Sequence, residues 1–487
     1  MGTLHDFSGQ RKQRSRCSAE PDLARALRAG VDAKVGPDAT FGQREKVALE
    51  LTNEATRQFL CDELVSIADR HGEQVEVGGS IYQRHEPGTV KYYTLCGSVE
   101  IERYTYRQVA VRNGPTIVPM ELAAGLVERA TPALGYRIAL GYAKDHMRSC
   151  EEDMKADHRR PPSRSTLERI AKAIGSRSKQ AVPRIERRIR SAESVPVGAV
   201  AISLGLDRTA VPMEEAVQPG DESATRKTRR KEPYQRRKPE PVEVNYRMAY
   251  VGTISFHDCC GKELATRCYA AGAHESPGDI VKRLVADLRA ALKRVPRLAV
   301  GIVQDGAPEM WNLLRPAVAL EPLVTKYYEA IDRYHLNDRL AELLREVEPN
   351  ATDRVVQLSR WNDSLDQNDN AIYRIRQWVR DISLNAAAEN NQDLLDHIEP
   401  HLTYLENNAH LMRYARLIEV GLPVGSGVTE GACKSLIKMR TNGSGQRWRP
   451  EGLAAVLTLR SIHKSDRLPR FWAHFSREYR QEVRACA

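Results

Sequence analysis

Gly421-Leu422-Pro423-Val424-Gly425-Ser426-Gly427-Val428-Thr429-Glu430-Gly431-Ala432-Cys433-Lys434 sets a Gly/Ser/Gly turn directly against the start of a helix. The turn fixes one carboxylate, Glu430, near the start of that helix, with Lys434 and Lys438 behind it at four-residue spacing. Such spacing puts the three on one helical face and Ala432, Leu436 and Met439 on the opposite, packing face. A glutamate near a helix N-terminus is also favourable for dipole reasons alone. Upstream, the apolar run Val200–Leu206 leads into Asp207, and Leu298–Gln304 leads into Asp305. Both runs suit buried strands. An aspartate at the end of a buried strand costs solvation unless it is paired or metal-bound. Asp305-Gly306 is at the same time a turn signal. Two aspartates leaving strands and one glutamate on a late helix make a set of hard oxygen ligands for two divalent cations, Mg2+ or Mn2+. That is the chemistry of metal-assisted phosphoryl transfer on nucleic acid.

The chain has 487 residues, more than one core usually holds. Lys and Arg number 74 against 64 Asp and Glu, a net charge of +10 that favours a polyanionic partner. The 9 cysteines are odd in number and contain no Cys-x-x-Cys pair, which reads as reduced thiols of a cytoplasmic protein. Cys259-Cys260 beside His257 reads as thiols, because adjacent cysteines do not easily ligate one ion. No apolar run reaches the ~20 residues of a bilayer span, and the polar start of the chain reads as a mobile basic tail over 1–40.

Periodicity then divides the chain. Residues 41–195 are expected to be mainly helical and DNA-binding, with a long helix over 42–73 in which Val47, Leu51, Ala55 and Phe59 form one row and Leu60, Leu64 and Ala68 another. A β-hairpin is expected over Lys91–Arg107, turning at Cys96-Gly97-Ser98. Ser165 and Glu168 match a capping box, so the stretch before and after Pro161-Pro162 reads as a helix-turn-helix or as two ordinary packed helices. From 196 to 335 the order strand, strand, strand, helix, strand, helix, strand, helix predicts a mixed α/β sheet. Residues 214–241 interrupt it as a disordered basic loop, with 8 basic residues between Arg226 and Lys238 against Glu232. Residues 336–421 read as a helical insertion with its own apolar stripes, and 422–487 as the last part of the core with a C-terminal tail.

Asp207, Asp305, the helical insertion and then Gly-x-x-x-Gly-Ser-Gly-Val-x-Glu together resemble a DDE transposase. The chain is similar to the ISKra-type insertion-sequence transposases, and the likeness runs from Leu95-Cys96-Gly97 to Trp472. It is carried also by Asp305-Gly306-Ala307, Asp332-Arg333-Tyr334-His335, Arg413-Tyr414-Ala415 and Arg447-Trp448. The resemblance implies an RNase H-like catalytic domain and an enzyme that cleaves and joins element ends. Its catalytic and metal-binding residues would be Asp207, Asp305 and Glu430, with two Mg2+ or Mn2+ ions. Its partners would be the double-stranded DNA of terminal inverted repeats and target, bound by a homodimer or larger assembly. Asp332 and His335 are implied to orient the site. Two positions depart from the pattern: Arg208 stands where relatives usually have glycine, and the N-terminal region has Cys96 where they often have paired cysteines.

Lys434, Lys438, Arg440, Arg447, Trp448, Arg449, Arg164, Arg169 and the loop residues Arg229, Arg230, Arg236 and Arg237 are expected to contact DNA. Trp448, between two arginines, reads either as a ring that stacks on an unpaired base or as an anchor for the helix after it. The other readings open to the residues are a transposase-derived DNA-binding protein without catalysis, for which Arg208 is the hint, and an RNase H-like structure-specific nuclease.

Overall fold

The computed structural model describes residues 21–216 and 242–486. The N-terminal part holds α1 (Pro21–Lys34), α2 (Phe41–Asp69), β1 (Gln74–Val77), β2 (Ser80–Thr94), β3 (Gly97–Gln108) and β4 (Thr116–Ile117). Four helices come after them: α3 (Pro119–Ala124), α4 (Pro132–Lys144), α5 (Met147–Ala156) and α6 (Arg164–Ala192). The expected tail therefore contains a helix over Pro21–Lys34; residues 1–20 lie outside the described residues. Thr40 starts α2 with a full capping box to Gln43. Leu64 and Ala68 of α2 pack on the sheet side, whereas in the other row Leu51 lies against Gly30 of α1 and Phe59, 60% exposed, faces solvent. At α6 the capping residue is Ser163, not Ser165, and its hydroxyl meets those of Ser165 and Thr166 instead of a backbone N–H.

The second half begins with β5 (Ala201–Ala216), β6 (Val242–His257), β7 (Glu263–Ala271), α7 (Pro277–Arg294), β8 (Ala299–Gln304), α8 (Pro308–Ala319) and β9 (Tyr328–Ile331). These strands form one mixed sheet in the order β7-β6-β5-β8-β9. The first three pair antiparallel, and β8 and β9 add in parallel. The order of elements is the expected one, but two readings change. β5 runs on through Asp207, so the aspartate sits within a strand and not at its end. Glu214–Ala216 belong to this strand too, paired with Val242–Val244; the rest of the expected loop, with Arg229, Arg230, Arg236 and Arg237, lies outside the described residues.

Next come α9 (Arg333–Val347), α10 (Ala351–Gln367), α11 (Ala371–Ala388), α12 (Gln392–Asn408) and α13 (Ala415–Glu419). Their apolar stripes, Ile372, Ile375 and Val379 among them, join the same core as Ile202, Leu204 and Ile302 of the sheet. The helical block thus shares the sheet's core instead of enclosing one of its own.

The chain closes with α14 (Gly427–Ala432), a π-helical turn over Cys433–Lys438, α15 (Met439–Thr441), α16 (Pro450–Lys464), α17 (Leu468–Tyr479) and β10 (Val483–Ala485). β10 pairs with β1, so the expected hairpin is the centre of a five-stranded antiparallel sheet, β10-β1-β2-β3-β4. Helix α16 packs on α6 and α4, and Leu453, Val456, Leu457, Ile174 and Ile138 are buried in one cluster. The C-terminal residues are therefore built into the N-terminal region and do not form a tail. Among the described residues no helix is long and apolar enough to cross a membrane.

Candidate active site

Strand β5 presents Ser203, Gly205 and Asp207 on one face and buries Ile202, Leu204 and Leu206 in the core on the other. Its parallel partner is β8, with Leu204 opposite Ile302. Past this pair β5 continues to Asp207 while the chain leaves β8 at Gln304, and Asp207 and Asp305 line one cleft.

Glu430 comes from across the sheet. Gly205 makes room for it: a Cβ there would press on Thr429 Oγ1 and lie 3.0 Å from the Val303 carbonyl oxygen. Without that Cβ, Thr429 settles on the sheet and its hydroxyl bonds to Thr253 Oγ1 at 2.7 Å. The next residue is then Glu430. Asp207, Asp305, Glu430, His335, Lys434 and Lys438 all line one cleft of about 250 Å³. The three expected acids are brought together, as are the two lysines. Replacing Gly205 by Ala should lift α14 from the sheet, cost about 1–3 kcal/mol of stability through overpacking and reduce activity. A wild-type melting temperature together with wild-type activity would contradict this.

Asp332 and His335 have separate parts. Asp332 is fully buried, and its Oδ1 caps α9 by accepting the N–H groups of Tyr334 (2.6 Å) and His335 (3.1 Å). Its Oδ2 accepts the Ser426 N–H. Both oxygens are thus engaged by backbone, and Asp332 ties the start of α9 to the turn before Glu430. His335 is half-exposed, with Nε2 3.5 Å from Glu430 Oε1. Asp332, His335 and Glu430 bring their ligand atoms within 4.8 Å of one another. With Asp332 already accepting three N–H donors, His335 and Glu430 are the members of this group free to face a cation.

Ser426 and Cys433 complete the cleft, and neither was expected in it. The Ser426 hydroxyl donates to Glu430 Oε1 at 3.2 Å and so orients the carboxylate. Cys433 lies beside Asp207, and burial, then the Asp207 charge, pushes its thiol up to about 12. Cys433 begins the π-turn, a widened helical turn often found at functional sites. Its extra residue rotates the side chains beyond it about the helix axis. Met439, expected on the packing face, is 77% exposed, and Arg440 is buried.

The departing residue Arg208 points its guanidinium at Glu309, whose other oxygen accepts the Tyr250 hydroxyl at 3.1 Å. Arg208 also lines the cleft, so Glu309 holds its charged end while the residue stays at the rim.

Electrostatics favour a cation in the cleft. The Asp207 carboxyl is raised above the usual aspartate range by burial, and the charges of Asp305 and Glu430 add to this against hydrogen bonds from Arg208 N–H and Cys433. The donor set is carboxylate oxygen, which suits Mg2+ or Mn2+. A raised folded-state value means that this group stabilises the fold while protonated, and that the stability is lost as pH rises through the raised value. Asp207→Asn should therefore raise the melting temperature of the cation-free protein at pH 7. Added Mg2+ should stabilise the wild type more than the variant. A lower melting temperature for Asp207→Asn in EDTA would contradict this.

The remaining expected DNA contacts fall elsewhere. Trp448 is half-buried and paired by its backbone to β5: its N–H donates to the Pro212 carbonyl at 3.1 Å, and its carbonyl accepts from Glu214 at 2.8 Å. The Arg440 guanidinium lies over its ring, 4.9 Å from the centroid. The indole is thus an anchor at the sheet edge and not a ring in a free loop. Arg449 bonds to Glu214 at 2.8 Å, and Arg447 is exposed. Arg164 joins Arg440, Arg447, Trp448 and Arg449 in a second cleft, whereas Arg169 is exposed on α6 and lines neither.

No protein-family model matches this chain, and no curated protein matches it in sequence.

Proposed function

We propose that this chain is a DDE-type DNA transposase that cleaves and joins the ends of an insertion sequence. The observation that carries the reading is the convergence of Asp207, Asp305 and Glu430 on one cleft flanked by Lys434 and Lys438. A sheet ordered β7-β6-β5-β8-β9, three strands antiparallel and two parallel, supports an RNase H-like catalytic domain. Divalent cations held by the three carboxylates would acidify a bound water or DNA 3′-hydroxyl and stabilise the leaving oxygen.

The protein's own groups set the stage for that chemistry. Asp207 and Asp305 hold fixed positions because a sheet carries them. Ser426 orients Glu430, and Asp332 holds Ser426 by its backbone. Lys434 and Lys438 offer charge to the phosphates flanking the reacting one. Arg208, which also lines the cleft, is paired with Glu309, an arrangement compatible with cation binding by the three acids. Because two element ends must be held at once, the working form is a dimer or larger.

The test is plasmid and oligonucleotide chemistry with the full chain. In Mg2+ or Mn2+ the wild type should nick DNA and join a 3′-hydroxyl end to a second duplex, and EDTA should stop both. Asp305→Asn should bind DNA and do neither. Nicking without joining would favour the structure-specific nuclease. Joining by Asp305→Asn would remove the site assignment.

A further inference from the structure

A second cleft, of about 810 Å³, opens between the N-terminal helices and the segment joining α15 to α16. Its basic side chains include Arg148, Arg164, Lys172, Arg440, Arg447 and Arg449. Three acids, Glu168, Glu214 and Glu451, also line it, but Glu214 is engaged by Arg449. Positive charge is in excess.

Arg440 is the informative member. It is only 6% exposed, yet no carboxylate lies within ion-pair distance of it among the described residues. Its Nη1 meets His146 Nδ1 at 3.2 Å. Arginine can only donate, so the histidine nitrogen accepts, and no charge is cancelled. Its Nε has no partner. Trp448, whose ring lies under this guanidinium, likewise has a buried indole N–H with no acceptor. Buried donors are almost always satisfied, so two adjacent orphans on the wall of a basic cleft point to an absent acceptor. Burial pushes the Arg440 guanidinium down from its usual value, which an anion would reverse.

We infer that this cleft binds a backbone phosphodiester of nucleic acid, with Arg440 as the anchor, apart from the reacting phosphate. The inference rests on the proposed reading of the acid cleft as a DNA site. The two clefts are joined by common elements. Lys438 lines the first and Arg440 the second; Asp207 lines the first and Glu214, further along β5, the second. The strand between them spans ~23 Å at ~3.3 Å per residue. That equals about seven steps of a DNA strand at ~3.4 Å each. One bound duplex reaches both, whereas a free phosphate would explain only the second.

The test is duplex binding by the full chain in EDTA, where catalysis plays no part. Fluorescence anisotropy with a labelled 30-base-pair duplex at ~0.1 M salt is the readout. Lys172→Glu combined with Arg447→Glu, both exposed positions, should weaken binding at least about tenfold and flatten the salt dependence by about one to two phosphate contacts. Arg440→Gln should also weaken binding, with Lys282→Glu, at an exposed position on α7 that lines neither cleft, unchanged. If the double variant and Arg440→Gln both bind within twofold of wild type, the inference is overturned. It is overturned too if inorganic phosphate stabilises the wild type but not Arg440→Gln while duplex binding is equal in all. Should Asp305→Asn still join strands while the charge variants lose binding, the catalytic reading falls and this site stands.

Discussion

Glu430→Gln should abolish Mg2+-dependent cleavage and joining, with a rate loss of about 10³-fold or more, while DNA affinity stays within about twofold of wild type. Gln keeps the size of Glu and can still accept the Ser426 hydroxyl bond, so α14 should stay on the sheet. The change removes the anionic oxygen. Metal ions supply several kcal/mol of transition-state stabilisation, and ~4 kcal/mol corresponds to about three powers of ten in rate. Binding should survive because Lys434, Lys438 and the basic side chains of the second cleft are untouched, and one fewer acid near phosphate if anything reduces repulsion. Single-turnover joining assays together with anisotropy on the same preparation separate the two quantities. Equal loss of binding and joining would mean that Glu430 holds the DNA surface together and not a cation.

Arg467→Met should destabilise the protein by about 3–5 kcal/mol, because it removes one partner from a buried ion-pair network. Arg467 is buried and donates to Glu193 at 2.6 Å, to the Tyr269 hydroxyl at 2.6 Å and to Asp287 at 3.1 Å. Arg190 and Arg283 enter the same network through Asp287 and Glu186. The residues come from α6 and the chain just beyond it, β7, α7 and the turn before α17, so the network fastens the N-terminal helices to the mixed sheet. Burial alone would raise the Asp287 carboxyl, but Arg467 and Arg190 outweigh it and hold the group below the usual aspartate range. A lowered value contributes stability above the unfolded pKa and loses it as pH falls through the folded one. The wild type should therefore lose this contribution in acid, and Arg467→Met should show a smaller drop there. Thermal melts of both proteins from neutral to acidic pH measure the effect. A loss under about 1 kcal/mol would mean that Asp287 finds a substitute partner.

Much of this was legible in the sequence where one physical signal dominates. The runs into Asp207 and Asp305 are almost wholly apolar or small, so their strands and their order along the chain could be read directly. The turn before Glu430 needed only its glycines and the helix after it. Register was not legible. That Asp207 and Asp305 meet in one cleft depends on the pairing of β5 with β8, which only the folded sheet defines. β5 was legible as a strand as far as Met213, and only Glu214–Ala216, polar residues at the start of the basic stretch, read as loop. β10 has three residues, too few for any period, and its place is set by β1. The π-turn leaves no mark in hydrophobic spacing, so Arg440 read as a surface cation and Met439 as core, the reverse of their burial. Phe59 misled for a related reason, since four-residue apolar spacing identifies a helix but not which side of it packs.

Anomalous diffraction from crystals grown with Mn2+ addresses the convergence of the three acids most directly. Manganese peaks should lie in the cleft, bonded to oxygens of Asp207, Asp305 and Glu430, and should vanish in Asp305→Asn crystals. Well-ordered crystals that hold manganese elsewhere but none among these three carboxylates would contradict the account.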